Sequence, residues 1–558
     1  MKKLPFLLLL FAVAHPIVRG QQTLGLFLND SLSFNGYTLF APSSYETTYL
    51  IDNCGYLVKS WTSDNRPGMS AYLLENGDLL RAARITSNFN SGGSGGRVER
   101  FDWDGNLLWG YDYSSNTYHQ HHDITPMPNG NVLLVAWEWH SQQEAIAAGR
   151  NPNTVPAIGL WSERIVELVP VGTNEANVVW EWRLWDHLVQ QYSADKPNYG
   201  TIAEHPELID LNFFGGVGAG PGQQDWIHAN SLDYNAETDQ ILLSSRVFSE
   251  IWTIDHSTTI QEAAGHSGGK WGKGGDILYR WGNPQAYDRG SAADRRFFGQ
   301  HDAHWIPKGL PGEGDIMVFN NGTNRPGGNF SSIDVITPPV DANGNYVLET
   351  GQAYGPSGLT WSYVANPPTS FYSPNVSGAQ RQPNGNTLIC EGQPGHFFEV
   401  TPSGKVVWDY VNPVRATGPA TQGQTPNGNS VFRIYRYASD YPAFEGKDLT
   451  PGAPVEKNPL PSTCQIFEEI NTASQQVADL QGISLFPNPV GGQFFIENKM
   501  GETLSVNITD LSGRVVFSKK SSEPVAVIET AHWHKGLYLV HLSSLEKGWI
   551  GTKKIVKL

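Results

Sequence analysis

Charged side chains are scarce in this chain of 558 residues, at 16%, and basic ones are outnumbered, 38 Lys and Arg against 54 Asp and Glu. The net charge of −16 leaves no basic stripe for a phosphate backbone, which argues against a nucleic-acid partner. Cysteine is nearly absent: Cys54, Cys390 and Cys464 are the three present, and none has a C-x-x-C or zinc-finger spacing. A thiol mechanism is therefore not expected. Any pair of the three could form a disulfide in an exported chain, and the odd count leaves at least one thiol over. Beyond the first twenty residues no apolar run reaches the length of a bilayer, so no membrane span is expected.

What is plentiful is 59 Gly, 36 Pro and 18 Trp. Turn formers and aromatics with few helix formers predict an all-β protein. The opening "MKKLPFLLLLFAVAHPIVRGQQ" sets two lysines before a short apolar run, the pattern of a signal peptide, here residues 1–20. Export follows, with the mature chain secreted or held at the cell surface.

Self-similarity gives the organisation. One unit, a strand, a Gly turn and a strand ending in Trp, recurs as "YLIDNCGYLVKSW" (49–61), "VERFDWDGNLLWGY" (98–111) and "HFFEVTPSGKVVWDY" (396–410), with further copies at 164–182, 274–284 and 331–363. It alternates with hairpins such as "AYLLENGDLLRA" (71–82), "HHDITPMPNGNVLLVA" (121–136) and "SGAQRQPNGNTLICE" (377–391), the last being "TQGQTPNGNSVFRIY" (421–435). Asn-Gly between apolar strands predicts a type I′ turn. Six copies of each unit predict a six-bladed β-propeller over residues 21–449, closed by pairing N- and C-terminal strands in one blade. Trp61, Trp109, Trp180, Trp281, Trp361 and Trp408 read as the same packing knob in each blade. "TPGAPVEKNPLPST" opens a linker, 450–482, and alternating strands in 483–558 predict a small C-terminal β-sandwich.

The repeat register also points to chemistry. Six residues back from Pro128, Pro307 and Pro383 stand His122, His301 and Ser377, and the same step from Tyr234 gives His228. Equivalent positions on innermost strands converge on one axis. Arg246, on the returning strand of the His228 hairpin, and Asn230, two residues after His228, are expected to join them. Imidazoles and a guanidinium without clustered carboxylates suit a sulfate- or phosphate-type oxyanion. One neutral histidine can attack while another protonates the leaving oxygen. His304 is out of phase with His301 and is expected to pack between blades; His119 and His121 share a phase that His122 lacks, which places them behind it or at the surface. Asp123 and Asp302, each following an axial histidine, are expected to orient an imidazole or cap a turn. Three inward histidines could instead hold zinc, but Arg246 beside them would repel a cation, so no metal is assigned to the axis. "AGHSGGKWGKGG" (264–275) lacks the Gly and Ser/Thr of a phosphate loop and reads as an excursion over one face.

Together, "HHDITPMPNGN", "WIHANSLDYNAETDQILLSSRVF" and "FGQHDAHWIP" resemble the bacterial arylsulfate sulfotransferase family over most of residues 21–450. The resemblance implies a propeller that moves a sulfuryl group from a phenolic sulfate donor to a phenol acceptor through a sulfohistidine, with no nucleotide donor and no cofactor. It implies His301 as nucleophile, His122, His228 and Arg246 as catalytic partners, and Asn230 and Ser377 as substrate-binding residues. The stretch 191–225 departs from the family pattern and is read as a lid. The tail, through "LFPNPV", "VNITDLSGRVV", "KGLYLVHL" and "KKIVKL", resembles the C-terminal sorting domain of type IX secretion, which implies that machinery as a partner. Two other readings stand beside the transferase: a sulfatase- or phosphatase-like hydrolase, metal-dependent or not, and a secreted propeller that binds glycans or proteins without chemistry. Donor, acceptor, cysteine pairing, oligomeric state and a structural calcium in the channel stay open at this point.

Overall fold

Short runs of alternating or wholly apolar residues between Gly, Pro and Asn turns become strands almost throughout, as a computed structural model of the chain shows. The structure describes residues 21–467 apart from 219, and then 482–499, 501, 503–510, 515–544 and 550–558. The expected signal peptide (1–20) and residues 468–481 of the expected linker lie outside the described residues. The described chain divides into two units, up to residue 467 and from 468 onward.

The first unit contains six antiparallel sheets of four or five strands. The second sheet runs Pro67–Leu73, Leu79–Arg84, Gly96–Phe101, Leu107–Asp112, and the third Tyr118–Pro126, Val132–His140, Leu160–Val171, Glu175–Arg183. The fourth to sixth begin at Ala229–Asn235, His301–Trp305 and Gly378–Arg381. The first sheet starts with the late strand Val431–Ala438, which pairs with the early strand Gly36–Pro42. Residues 421–430 therefore supply no strand to that sheet; Val431–Ala438 takes the innermost place expected of the first arm of the last Asn-Gly hairpin, and Gly36–Pro42 takes the place expected of its second arm.

Two sets of hydrogen bonds tie the sheets in a cycle. On the outside, each repeated tryptophan donates its indole N–H to the next sheet's connection. Trp61 bonds Asp102 O (2.9 Å), Trp109 Glu175 O (2.8 Å) and Trp180 Thr258 Oγ1 (3.1 Å). Trp281 bonds Pro356 O (2.9 Å), Trp361 Pro402 O (3.3 Å), and Trp408 returns to Asn53 O (2.8 Å). On the inside, Ser70, Asp123, Ser231 and Asp302 accept the N–H groups of Ile124, Leu232, Ala303 and Ala379, each on the following sheet. Gln380 then accepts from Arg436 N, and Tyr437 from Leu73 N, which completes the circuit. Each such bond is worth about 1 kcal/mol, so strength comes from the closed set.

Three local expectations change. The Pro-Asn-Gly-Asn turns are not type I′: Gly130 N bonds Met127 O and Met127 N bonds Asn131 O, with positive φ at Gly130 and not at Asn129. Pro128 fixes the first corner of a type I turn, and the glycine supplies the left-handed residue that rejoins the strand. The Asp123 and Asp302 carboxylates bond the neighbouring sheet, and both pair with buried Arg433 (3.0 and 2.8 Å); neither touches the axial histidine before it, and the Asp302 carbonyl meets His304 Nδ1 at 3.0 Å. A guanidinium thus occupies the axis where a cation was left open. Residues 450–467 pack along the first unit: Val455 is buried, Tyr56 bridges Pro454, and Cys464 forms a disulfide with Cys54, leaving Cys390 as a buried free thiol.

The second unit has a three-stranded and a four-stranded sheet. Phe494, Ile496 and Ile528 from one and Val506, Val540 and Leu542 from the other share one core. Among the described residues no helix is long and apolar enough to cross a membrane.

Candidate active site

Inner strands of five sheets carry a non-glycine residue of positive φ within the strand or just before it: Met69, His122, His228, Asp302 and Val376. Left-handed backbone costs such a residue about 1–2 kcal/mol. Here it accompanies β-bulges, where the pairing register jumps at Leu134/Ala136, Ala229/Ser231 and His301/His304. Bulges re-aim side chains. At one end of the axis they turn His122, His228 and His301 into a single cavity of about 790 Å³, joined by Arg246 and Arg84. No Asp or Glu lines it among the described residues, although the chain as a whole is acidic.

Each histidine is held from behind. His301 Nδ1 lies 2.8 Å from Asn321 Oδ1 and 3.1 Å from the Gly299 carbonyl. The Asn321 amide cannot be reversed, because its Nδ2 donates to the Ser373 carbonyl (2.7 Å) and Ser377 Oγ (3.0 Å). Nδ1 must therefore carry the proton, which leaves Nε2 as a bare lone pair. Burial, with Arg246 close by, pulls the His301 pKa down to about 3, so the ring is neutral at physiological pH. His228 Nδ1 donates to Asp225 Oδ2 (2.6 Å), a carboxylate that also accepts from Ser91 and Trp137. Burial raises the Asp225 pKa, but His228, His121 and Ser91 together outweigh it and the net direction is down.

His122 leans on a buried relay. Its Nδ1 is 2.7 Å from His121 Nδ1, and His121 Nε2 is 2.8 Å from Glu163 Oε2, while Glu163 Oε1 accepts from Ala229 N (2.9 Å). Burial, reinforced by Asp225, pushes Glu163 well above the carboxylate range and burial pushes His121 and His122 well below the imidazole range. With the acid neutral, its proton sits on Oε2, and the relay ends with Nε2–H of His122 as a donor. Gly93 closes over that ring: a Cβ there would come within 2.2 Å of three ring atoms. The Arg246 guanidinium, by contrast, makes no ion pair or hydrogen bond with a described residue, and burial lowers its pKa.

The other expected residues lie elsewhere. Asn230 and Ser377 are fully buried and do not line the cavity. Asn230 donates to the Gln300 carbonyl (2.6 Å), behind the His301 strand, and Ser377 holds Asn321. By the inner hydrogen-bond circuit Asn230, not His228, matches His122, His301 and Ser377 in register; His228 precedes it by two residues. His119 and His121 are buried, His119 between Ser114 and Ser94. His304 does not pack between sheets but lines a second cavity of about 660 Å³, which also holds Asp233, Asp302 and Arg433. No described residue of 191–225 lines the histidine cavity. The stretch packs Leu211 and Phe213 into the core, brings Gly218 beside the Arg246 guanidinium and delivers Asp225. Asp225, Glu163 and Asn321 escaped sequence reasoning. Asp225 alone left a local signal, three residues before His228.

Residues 30–417 match the arylsulfotransferase family. The chain belongs to that family. Residues 484–557 match the secretion-system C-terminal sorting domain, which marks an exported protein, secreted or at the cell surface. Arylsulfate sulfotransferase AssT of Escherichia coli O6:H1 (strain CFT073) is 27% identical over 201 residues, 34% of this chain and 31% of the relative. The match thus spans about a third of that relative's length. Among solved structures, a Bacteroides caccae protein of unknown function aligns at 12% identity and TM-score 0.36, over 72% of this chain and 99% of its own. A catalytically inactive virginiamycin B lyase of Staphylococcus aureus aligns at 10% and 0.31, over 70% and 89%.

Proposed function

We propose that this chain is a nucleotide-independent aryl sulfotransferase, with residues 21–449 forming a six-bladed β-propeller and 483–558 a β-sandwich recognised by the type IX secretion machinery. The observation that carries the reading is a cavity with two arginines, three histidines and no carboxylate facing it, in which one histidine is locked with a bare Nε2. The cyclic ties among six sheets support the propeller. The core shared by two sheets supports the sandwich.

The reaction runs in two displacements. His301 Nε2 attacks the sulfur of an aryl sulfate, the N–S bond forms and the S–O bond to the aryl group breaks. The positive charge left on the ring is spread through Nδ1–H to Asn321 Oδ1 and the Gly299 carbonyl. Arg246 and the His122 Nε2–H face the sulfuryl oxygens, where charge stabilisation outweighs covalent effort. His228, its Nδ1–H fixed by Asp225, gives a proton to the departing phenolate from Nε2. It then takes one from the acceptor phenol, whose oxygen attacks sulfur and frees His301. Asn230 and Ser377 act as supports rather than as substrate contacts.

The test is mass spectrometry of enzyme quenched after addition of a chromogenic aryl sulfate. The expected result is an acid-labile gain of one sulfuryl group on the peptide holding His301, discharged faster by phenol than by water. No histidine adduct, or discharge indifferent to phenol, would favour a hydrolase.

A further inference from the structure

A second histidine cluster lies outside the cavity. His187 is fully buried at the root of the 191–225 stretch, where its carbonyl accepts from Ile209 N. Its Nε2 is 2.8 Å from the Ala263 carbonyl. A carbonyl only accepts, so Nε2 carries the ring proton and Nδ1 of the neutral ring is a lone pair. That lone pair faces Asp276 Oδ1 at 2.8 Å, and His266 Nδ1 faces the same oxygen, also at 2.8 Å. Two imidazole nitrogens converging on one carboxylate oxygen call for positive charge between them.

These three ligand atoms all lie within 4.8 Å of one another, and no other trio of His, Cys, Asp or Glu does so among the described residues. The axial histidines His122, His228 and His301 do not. We propose that His187 Nδ1, His266 Nδ1 and Asp276 Oδ1 bind a zinc ion, with its fourth position open toward solvent beside His266. Two imidazoles and a carboxylate suit zinc, whereas calcium and magnesium take oxygen donors. The Ala263 carbonyl on His187 Nε2–H fixes the tautomer that a ligating histidine needs.

The site gives the glycine-rich excursion 264–275 a purpose. Its turns are closed by Gly274 N to Gly268 O and Gly275 N to Gly265 O. A Cβ on Gly275 would lie 2.0 Å from the Ala263 carbonyl and 2.6 Å from His187 Nε2, so glycine is required where the loop passes the cluster. The ion pins this loop to the root of the stretch that ends in Asp225. Its role is to brace that stretch, away from the reacting atoms.

The experiment takes the full chain through a chelator, dialyses it against zinc, removes unbound metal and measures zinc per chain. The expected content is one ion, retained in His301→Ala and lost in His266→Ala and Asp276→Asn, whose zinc affinity falls about a hundredfold or more. His266 is 62% exposed at its side chain, so its replacement leaves packing intact. Zinc should raise the thermal midpoint of the parent chain and leave that of His266→Ala unmoved. A parent chain that retains no zinc overturns the proposal. So does zinc held equally by His266→Ala but lost in His301→Ala.

Discussion

Replacing Glu163 by glutamine and by leucine separates two proton arrangements that place the same atoms in the same positions. In the relay read from the structure, Glu163 is a neutral acid, its Oε1 accepting from Ala229 N and its Oε2 donating to His121 Nε2. Glutamine reproduces both, with Oε1 toward Ala229 and Nε2 toward His121. The His122 Nε2–H survives, and kcat/KM for a chromogenic aryl sulfate with a phenol acceptor at pH 7 stays within about threefold, on a scale where 1.36 kcal/mol is tenfold. Leucine leaves the Ala229 N–H unpaired, at about 1–3 kcal/mol of stability, and frees the His121 tautomer. Losing an oriented donor in the transition state then costs about 100-fold or more. If Glu163 is ionised instead, it accepts from His121, the relay reverses and His122 presents a lone pair. Glutamine would then break the chain as badly as leucine. A tenfold or greater loss in Glu163→Gln at pH 7 refutes the assignment.

Acid stability should follow the buried rings. His301 and His119 protonate in the folded chain only near pH 3 and 4, because burial disfavours their cations, against about 6.5 when unfolded. Below pH 6.5 the unfolded state takes up protons that the native state refuses, so stability falls as pH drops, by about 1.4 kcal/mol per unit for each ring, down to about pH 4 for His119 and about pH 3 for His301. Urea unfolding followed by tryptophan fluorescence should show a shallower decline in His119→Phe, and an unchanged slope contradicts the burial argument. Arg246→Met should separate stability from function. The guanidinium has no partner among the described residues, so the thermal midpoint stays or rises while donor turnover falls about 100-fold or more. A lowered midpoint would mean that Arg246 is a structural residue.

Much of the site was legible because the repeat is. Turn residues and the recurring tryptophan mark equivalent strands, and His122, His228, His301 and Arg246 do meet in one cavity. Counting alternation fails one step further on. Asn230 was expected to share the face of His228, yet the bulge at Ala229/Ser231 adds a residue and reverses which face the next side chain takes. Ser377 keeps the register of His301, and its hydroxyl is taken up by Asn321. The groups that set proton positions were beyond reach for another cause. Asn321 meets His301 from the end of the paired strand, 20 residues on, and Glu163 meets His121 from 42 residues away. Such pairings leave no local period.

By itself the sequence determined the β-rich class, which follows from composition, the export signature, which follows from motifs at the two ends, and the convergence of His122 with His301, which follows from the repeat spacing. Only the tertiary structure decided which imidazole offers a lone pair and which a proton, that Cys54 pairs with Cys464, and that a guanidinium fills the axis. Those outcomes depend on hydrogen-bond partners and burial supplied by distant strands. A tautomer, a disulfide or a buried charge is fixed by what surrounds it in space, and the order of residues along the chain carries no record of that.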